Sequence, residues 1–453
     1  MKTTFVAVGD CFITRRIPER GYEGFDELKD LIKSHDVKFA NLEQTFHDQE
    51  GYPSASSGGT WAMAEPELLD EVAKFGFNLY NVANNHTGDY GQGGVLATMQ
   101  HLKERKMIYA GIGRNLHEAS RPCYLETPQA RVAMIGVTTS FDPAAAAGGQ
   151  SVEMHGRPGL NPLNHKAIYH LTPETFKAAQ KLAQATLINW PIEQMIQCGY
   201  ANPFPKGTMP FGRMQFVEDE NEFIETIPNK ADLDRIIGEV VEAKRQADIV
   251  LVSLHVHQMT GKNTTLPAQF HETFARACID AGASAVIGHG PHELRGIEVY
   301  NDGIIFYSLG NFIFETETTA LQPYDAYKAR GMSTETKVGA YMDQRSANGT
   351  RGFPVMPEIW KAVIPSWIVE DGKITEVKLH PIDLGIEKSR GTRGRPALSR
   401  SQETLESDSD RWPPFSDNPA RLWASHCVCR TLQQPLVPGQ GSESQSFICT
   451  PED

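Results

Sequence analysis

Apolar residues in this chain fall in short, largely β-branched runs that alternate with stretches where they return every third or fourth position. The runs at 3–8, 37–40, 79–83, 132–138, 249–254, 285–287 and 303–308 predict strands, and the unbroken run at 249–254 predicts burial on both faces. Residues 25–32 predict a helix with Leu28, Leu31 and Ile32 on one face. Residues 66–75 open with Pro66 and carry Leu68, Leu69 and Val72 at helical spacing; residues 95–106 repeat the pattern with Leu96, Met99 and Leu102. After residue 231 it returns, with Leu233, Ile236, Ile237 and Val240 on a helix at 232–246 and a further helix at 270–281 stopped by Gly282. Residues 362–369 and 374–379, joined at Asp371-Gly372, predict a closing hairpin. Such alternation predicts an α/β fold built on a mostly parallel sheet.

Two segments interrupt this pattern. Residues 151–228 contain a helical run at 172–189, then a Pro-, Gly- and aromatic-rich piece at 199–213 with no clear period. They read as an insertion on the ligand side of the sheet. Residues 316–360 form a second long irregular stretch. Loops of that length in a compact domain usually carry function, so both are expected to wall a substrate cleft. Tyr200, Phe204, Phe211, Tyr324 and Tyr327 would supply aromatic surface, and Lys206, Arg213, Lys328 and Arg330 would meet carboxylates or phosphates. After Gly385 the periodicity ends. The expected organisation is one domain over 1–385 and a disordered tail over 386–453, dispensable enough that a chain ending near Lys388 keeps its melting temperature.

Composition narrows the function. At 453 residues, 40% hydrophobic and 22% charged, the chain can bury a large core. A net charge of −13 argues against a nucleic-acid partner. No window approaches the ~18 uninterrupted apolar residues of a membrane span. The N-terminus reads as a first strand instead of a signal peptide, so the protein is expected to be cytoplasmic with no membrane anchor. The seven cysteines lack zinc-ribbon spacing and read as reduced thiols.

Chemistry-bearing residues stand where the strand runs end. They are Asp10 after the first run, Asn41-Leu-Glu43 after the second, Asn84-Asn85-His86 after the third, His255 after 249–254, and His289-Gly-Pro-His292 after 285–287. Open α/β sheets bind ligands at that edge. Singly, Asp10 would be a helix cap, Glu43 a solvated charge and His86 a loop histidine; together they are a ligand inventory. His257 reaches the same place only if its strand continues, and packing explains it equally well. Asp89, three residues past His86, could orient that ring. Carboxylate, amide and imidazole donors without thiolate suit Mn²⁺, Fe²⁺ or Zn²⁺, and a bridging carboxylate would allow two ions ~3.5–4 Å apart.

The strings Val8-Gly-Asp10, Asn41-Leu-Glu43, Ala83-Asn-Asn-His-Thr-Gly-Asp89-Tyr-Gly91, Tyr109-Ala-Gly-Ile-Gly113, Ser253-Leu-His255, Gly288-His-Gly-Pro-His292 and Phe306-Tyr-Ser-Leu-Gly-Asn-Phe312 resemble the CapA/PgsA-type bacterial capsule (poly-γ-glutamate) synthesis proteins. The resemblance implies a calcineurin-like metallophosphoesterase fold, a four-layer αββα sandwich. It also implies a metal set of Asp10, Glu43 (bridging), Asn85, His255, His289 and His292. His86 takes the general-acid position, with Asp89 behind it, and Asp10 is a further acid–base candidate. Two departures stand out: Asp10-Cys-Phe12 replaces the usual Asp-x-His, and His-x-x-His replaces His-x-His. One ion, two, or a metal-poor acid–base site all remain open. The activity implied is metal-dependent hydrolysis of a phosphoester or γ-glutamyl amide in a small-molecule, peptide or polymer substrate. The alternatives are acid–base chemistry at a peptide α-carbon, such as epimerisation, and a non-catalytic scaffold role in polymer synthesis.

Overall fold

The structure, a computed structural model, describes residues 2–399 and the short strand Phe447–Cys449. Strand periodicity explains its architecture. In Lys2–Phe12, Phe5 and Ala7 enter one apolar cluster while Val6 and Val8 enter another. In Ile249–His255, Ile249 and Leu251 share the cluster of Phe5, whereas Val250, Val252 and Leu254 enter a third. Successive side chains point to opposite faces, so each strand contributes to two cores. The shared cluster lies between two sheets, and the other two lie under helices.

The larger sheet runs in the order Ala397–Leu398, Lys373–Asp383, Lys361–Glu370, Lys2–Phe12, Val37–Leu42, Leu79–Asn81, Tyr109–Ala110, with Asn311–Phe314 also on Lys2–Phe12. The second runs Leu294–Tyr300, Gly303–Leu309, Ala285–His289, Ile249–His255, Arg131–Thr138, Cys123–Glu126. Both are mixed: their central pairs are parallel, while the pairs at Lys361–Glu370, Leu294–Tyr300 and Cys123–Glu126 are antiparallel. The α/β expectation holds, with two packed sheets where the runs alone suggested one.

Helix Phe25–Lys33 buries Phe25, Leu28 and Ile32 against the larger sheet. Lys230–Gln246 is opened by Asn229, whose side chain accepts from the Asp232 amide, and buries Ile236, Val240 and Ala243 on the second. Among the described residues no helix is long and apolar enough to cross a membrane.

The interrupting segments hold more regular structure than their composition suggested. The helix expected at 172–189 ends at Thr186, because Leu187 turns left-handed (φ 54°) and a second helix, Trp190–Gln197, begins with Pro191 in its first turn. The aperiodic piece supplies Thr208–Phe211 to a four-stranded sheet with Met214–Glu218, His165–Leu171 and Phe223–Pro228. That sheet docks on helix Gln269–Asp280, where His165 stacks on Phe270 at 4.3 Å. Residues 316–360 contain helices Tyr324–Lys328 and Val338–Arg345 around Tyr327, Tyr341 and Met342. Tyr327 is therefore a core residue of this segment and not cleft surface.

Residues 386–399, expected to belong to the tail, are ordered into the fold. Residues 386–399 pack on the body: Arg395 and Arg393 pair with Glu315 and Glu317, Arg390 meets Asp343, and Ala397–Leu398 joins the larger sheet. The basic stretch that reads as solvated is neutralised by acidic partners more than forty residues away in sequence, a pairing no local pattern contains. The rest of the expected tail, apart from Phe447–Cys449, lies outside the described residues.

Candidate metal centre

Parallel strands of the two sheets end side by side, and their last residues bring the predicted side chains together. Asp10 stands opposite Asn41 in the register between Lys2–Phe12 and Val37–Leu42, one pair before its end at Cys11 and Leu42, and Glu43 is the first residue past Leu42. His255 and His289 are the final residues of adjacent strands and stand directly opposite in register. All four are fully buried.

Two groups of donor atoms result. Those of Asp10, His255 and His289 lie within 4.8 Å of one another, and so do those of Glu43, His257 and His292. Within the first group the pairs stand 3.0, 3.5 and 3.7 Å apart, close to the ~3.3–3.6 Å between tetrahedral donors ~2.0–2.2 Å from one ion. The groups interlock. His255 Nδ1 is 3.7 Å from Asp10 Oδ1 and its Nε2 is 3.8 Å from Glu43 Oε1. His292 is 3.5 Å from Asp10 and 3.7 Å from Glu43 through its two nitrogens.

Supporting bonds fix these side chains. Ser253 Oγ lies 2.7 Å from His289 Nε2, which turns His289 Nδ1 toward Asp10 and to 3.0 Å from His255 Nδ1. Asn311 Oδ1 accepts from His292 Nδ1 at 2.9 Å while its amide donates to the Ile359 carbonyl. Asp10 accepts from the Asn41 amide and the Gly290 backbone N–H. His292 itself is left-handed (φ 64°), which bends Gly290-Pro291-His292 back over the site. Outer bonds of this kind orient ligands to metals.

Unsatisfied atoms mark where a ligand would bind. Both carboxylate oxygens of Glu43, Nε2 of His255 and Oδ1 of Asn85 are buried without a hydrogen-bond partner. An unpartnered buried carboxyl costs several kcal/mol if ionised. Burial, and then the charge of Asp10, hold Glu43 well above the usual carboxylate range. Burial also raises Asp10, but the hydrogen bond and charge of His292, with His289 and Asn41, outweigh it and leave Asp10 low. Burial lowers His289 to about 4 and His257 to about 3, and drives His255 far down, so all three are neutral imidazoles with a lone pair to offer. Burial opposes the charge on His292, but Glu43 and Asp10 raise it to about 9. Low histidines, a strained carboxyl and oxygen–nitrogen donors fit a divalent cation.

Of the expected ligands, Asp10, Glu43, His255, His289 and His292 converge. Asn85 keeps its amide on the Gly58 carbonyl at 2.8 Å, leaving Oδ1 free. His257, which the strand rule left undecided, joins the second group, although its strand stops at His255. Phe12 stands edge-on to His86, ring centres 5.5 Å apart, where the resemblance would place a histidine. His86 Nδ1 donates to Asp89 Oδ2 at 2.7 Å. Asp89 is held by the Gly58 and Ala62 amides, so the pair is a fixed unit.

The 316–360 segment reaches this centre: the Phe353 ring lies 5.9 Å from His292, and Gln322 bonds Thr60 and the Trp61 carbonyl beside the Asp89 loop. Of residues 151–228, the four-stranded sheet docks on the outer helix Gln269–Asp280, while Gly159–Leu160 pairs with Ile112–Gly113.

A family model described as "Bacterial capsule synthesis protein PGA_cap" matches residues 4–316. An uncharacterized protein of Sinorhizobium fredii, y4sH, is 32% identical over 415 residues, spanning 89% of this chain and 87% of its own length. "Capsule biosynthesis protein CapA" of Bacillus anthracis is 26% identical and covers 71% of this chain and 64% of its own length. "PGA biosynthesis protein CapA" of Bacillus subtilis is 24% identical, covering 81% and 80%.

Proposed function

This chain belongs to the bacterial capsule synthesis protein PGA_cap family, and from that premise we propose that it is a metal-dependent hydrolase of a phosphoester or γ-glutamyl amide, acting in poly-γ-glutamate, peptide or cell-envelope polymer metabolism. The polymer enters through the relatives' names and the family resemblance; the chemistry rests on the site. We also assign the sandwich of two sheets to the metallophosphoesterase type.

One observation carries the reading. Glu43 is buried beside Asp10 and three histidines, His255, His257 and His292, yet neither of its oxygens has a hydrogen-bond partner. A divalent Mn²⁺, Fe²⁺ or Zn²⁺ ion at each donor group would satisfy those oxygens, and when bound would supply Lewis acidity toward the scissile bond and a water. Asp10, His255 and His289 would hold one ion; Glu43, His257 and His292 the other. Asn85 Oδ1 is the remaining free donor next to His86. His86 carries its Nδ1 proton on Asp89, so Nε2 is left to exchange a proton with the leaving group. Phe12 and Phe314 close apolar walls on His86 and His292.

A second reading has its own support. Asp10 is held low and Glu43 high, the kind of split that assigns base and acid to two carboxyls. It fits metal-free proton transfer at a peptide α-carbon. Elemental analysis of protein purified without chelator separates the two, followed by assays on phosphodiesters, γ-glutamyl peptides and α-peptides. Bound transition metal with hydrolysis is expected. Metal-free, unloadable protein that epimerises a peptide would favour the second reading, and inactivity on every substrate would favour a scaffold subunit.

A further inference from the structure

Arg295 is among the largest fully buried side chains, at 2% exposure. Its guanidinium donates to three carbonyls of one segment: Nη2 to His257 at 3.1 Å, Nη1 to Gln258 at 2.9 Å and Nε to Thr264 at 2.9 Å. Burying a cation on neutral acceptors costs several kcal/mol, and an apolar residue would fill the space more cheaply. The arrangement needs a reason beyond packing.

The segment it holds is the one that delivers His257. The strand ends at His255, and nothing in strand geometry carries the chain's next side chains to the site. His257 is pinned from both sides. Ser140 Oγ accepts its backbone N–H at 3.0 Å, and Arg295 donates to its carbonyl. Gln258 is tied further to Thr139, whose hydroxyl donates to Oε1 at 2.6 Å. The imidazole then sits 5.0 Å from the His255 ring and 5.9 Å from that of His292, ring centre to ring centre. Arg295 stands on Leu294–Tyr300, opposite Ser308, and Ser308 anchors the Glu293 carbonyl at 2.6 Å. The same short stretch thus carries the His292 turn at one end and the clamp on His257 at the other.

We propose that Arg295 is a positioning residue that turns His257 into a ligand of the second ion, the one held with Glu43 and His292. The inference rests on the two-ion reading of the centre. It assigns this chain a second-site histidine reached from the strand of His255, locked by a buried guanidinium three residues past His292.

The test is metal stoichiometry and affinity in the full chain, by elemental analysis and by Co²⁺ titration read from the visible absorption. Arg295→Lys keeps the charge and loses the three-way fork. It is expected to melt cooperatively, retain the first ion, and bind the second ~10–100-fold more weakly, the usual loss on removing an outer partner. His257→Ala should give the same loss, and the double variant should lose no more than His257→Ala alone. Ser140→Ala, which loosens the other pin, should weaken the second ion in the same direction. Arg295→Lys with both ions at wild-type affinity overturns the inference, and so do additive losses in the double variant. Wild-type protein that binds no metal overturns the two-ion reading together with this inference, whereas a wild type with two ions isolates the role of Arg295.

Discussion

The two halves of the centre are built differently. Asp10, His255 and His289 occupy strand positions, are fully buried, and take their aim from register: His255 and His289 are paired across adjacent parallel strands. Glu43, His257 and His292 stand one, two and three residues beyond the strands that lead to them. Their aim comes from loop bonds: Ser140 and Arg295 on His257, Asn311 and a left-handed turn on His292. The Glu43 carboxylate accepts no hydrogen bond. A sheet edge alone thus specifies one half, and the other depends on contacts distant in sequence.

The largest effect should fall on Asp10, which touches both groups. Asp10 lies 3.5 Å from both His289 and His292, so Asp10→Ala is expected to abolish binding of both ions. Glu43→Gln removes the charge of a carboxyl that burial and the neighbouring Asp10 charge already disfavour in its ionised form. Its metal-free melting temperature should stay within a few degrees of wild type while the second ion is lost. Differential scanning fluorimetry with and without Mn²⁺ or Zn²⁺ reads both; equal losses in the two variants would erase the distinction between the halves.

His86 lies outside both donor groups. His86→Ala should lower turnover by ~10²–10⁴-fold on an identified substrate with metal content nearly unchanged, the range for a lost general acid or base. Lost metal would instead add it to the ligands.

The contrast also explains what was legible. Strands and helices were readable because alternation and helical spacing are local, and so were the strand-end residues. That the strands form two sheets was legible only through the family resemblance, because an apolar run carries no information on which neighbour it pairs with. His257 was undecided because a spacing of two means a common side only within a strand, and here the chain leaves the strand at His255. Asn85 was readable as a donor but not as one whose amide is committed to Gly58. The packing of 386–399 was hidden because opposite charges met from distant positions.

Acid should act on the whole fold before it separates the halves. Away from the ligands, burial lowers His47 and His380 to about 4, and His271, with neither ring nitrogen partnered, falls far below its ordinary value. Their folded pKa values lie below the unfolded value of about 6.5, so the unfolded chain takes up protons first. Their contribution to stability is complete above pH 6.5 and is lost as pH falls toward about 4. Metal-free protein should melt several degrees lower at pH 5 than at pH 7.5. An unchanged melting temperature would mean these rings are solvated or paired.

The smallest effect expected at the site comes from shortening the chain, and it is aimed at the loop-built half. Residues 389–399 hold the strand that backs His292: the Phe314 amide donates to the Gly394 carbonyl at 2.8 Å, and Phe314 lies 5.0 Å from the His292 ring. Next to it, the Glu315 side chain is 1% exposed and paired with Arg395, as well as with Arg15 at 2.8 Å. A chain ending at Lys388 leaves that buried carboxylate with one cation and frees Phe314, at a cost of about 3 kcal/mol, toward the lower end for breaking a buried pair. Compared with a chain ending at Ser399, it should melt several degrees lower and bind the ion at Glu43, His257 and His292 a few-fold more weakly. The ion at Asp10, His255 and His289 should keep its affinity, since its ligands take their positions from the strands. Weakening of both ions alike would show that the strand-built half also leans on this segment, and equal melting temperatures would show that its ion pairs contribute nothing.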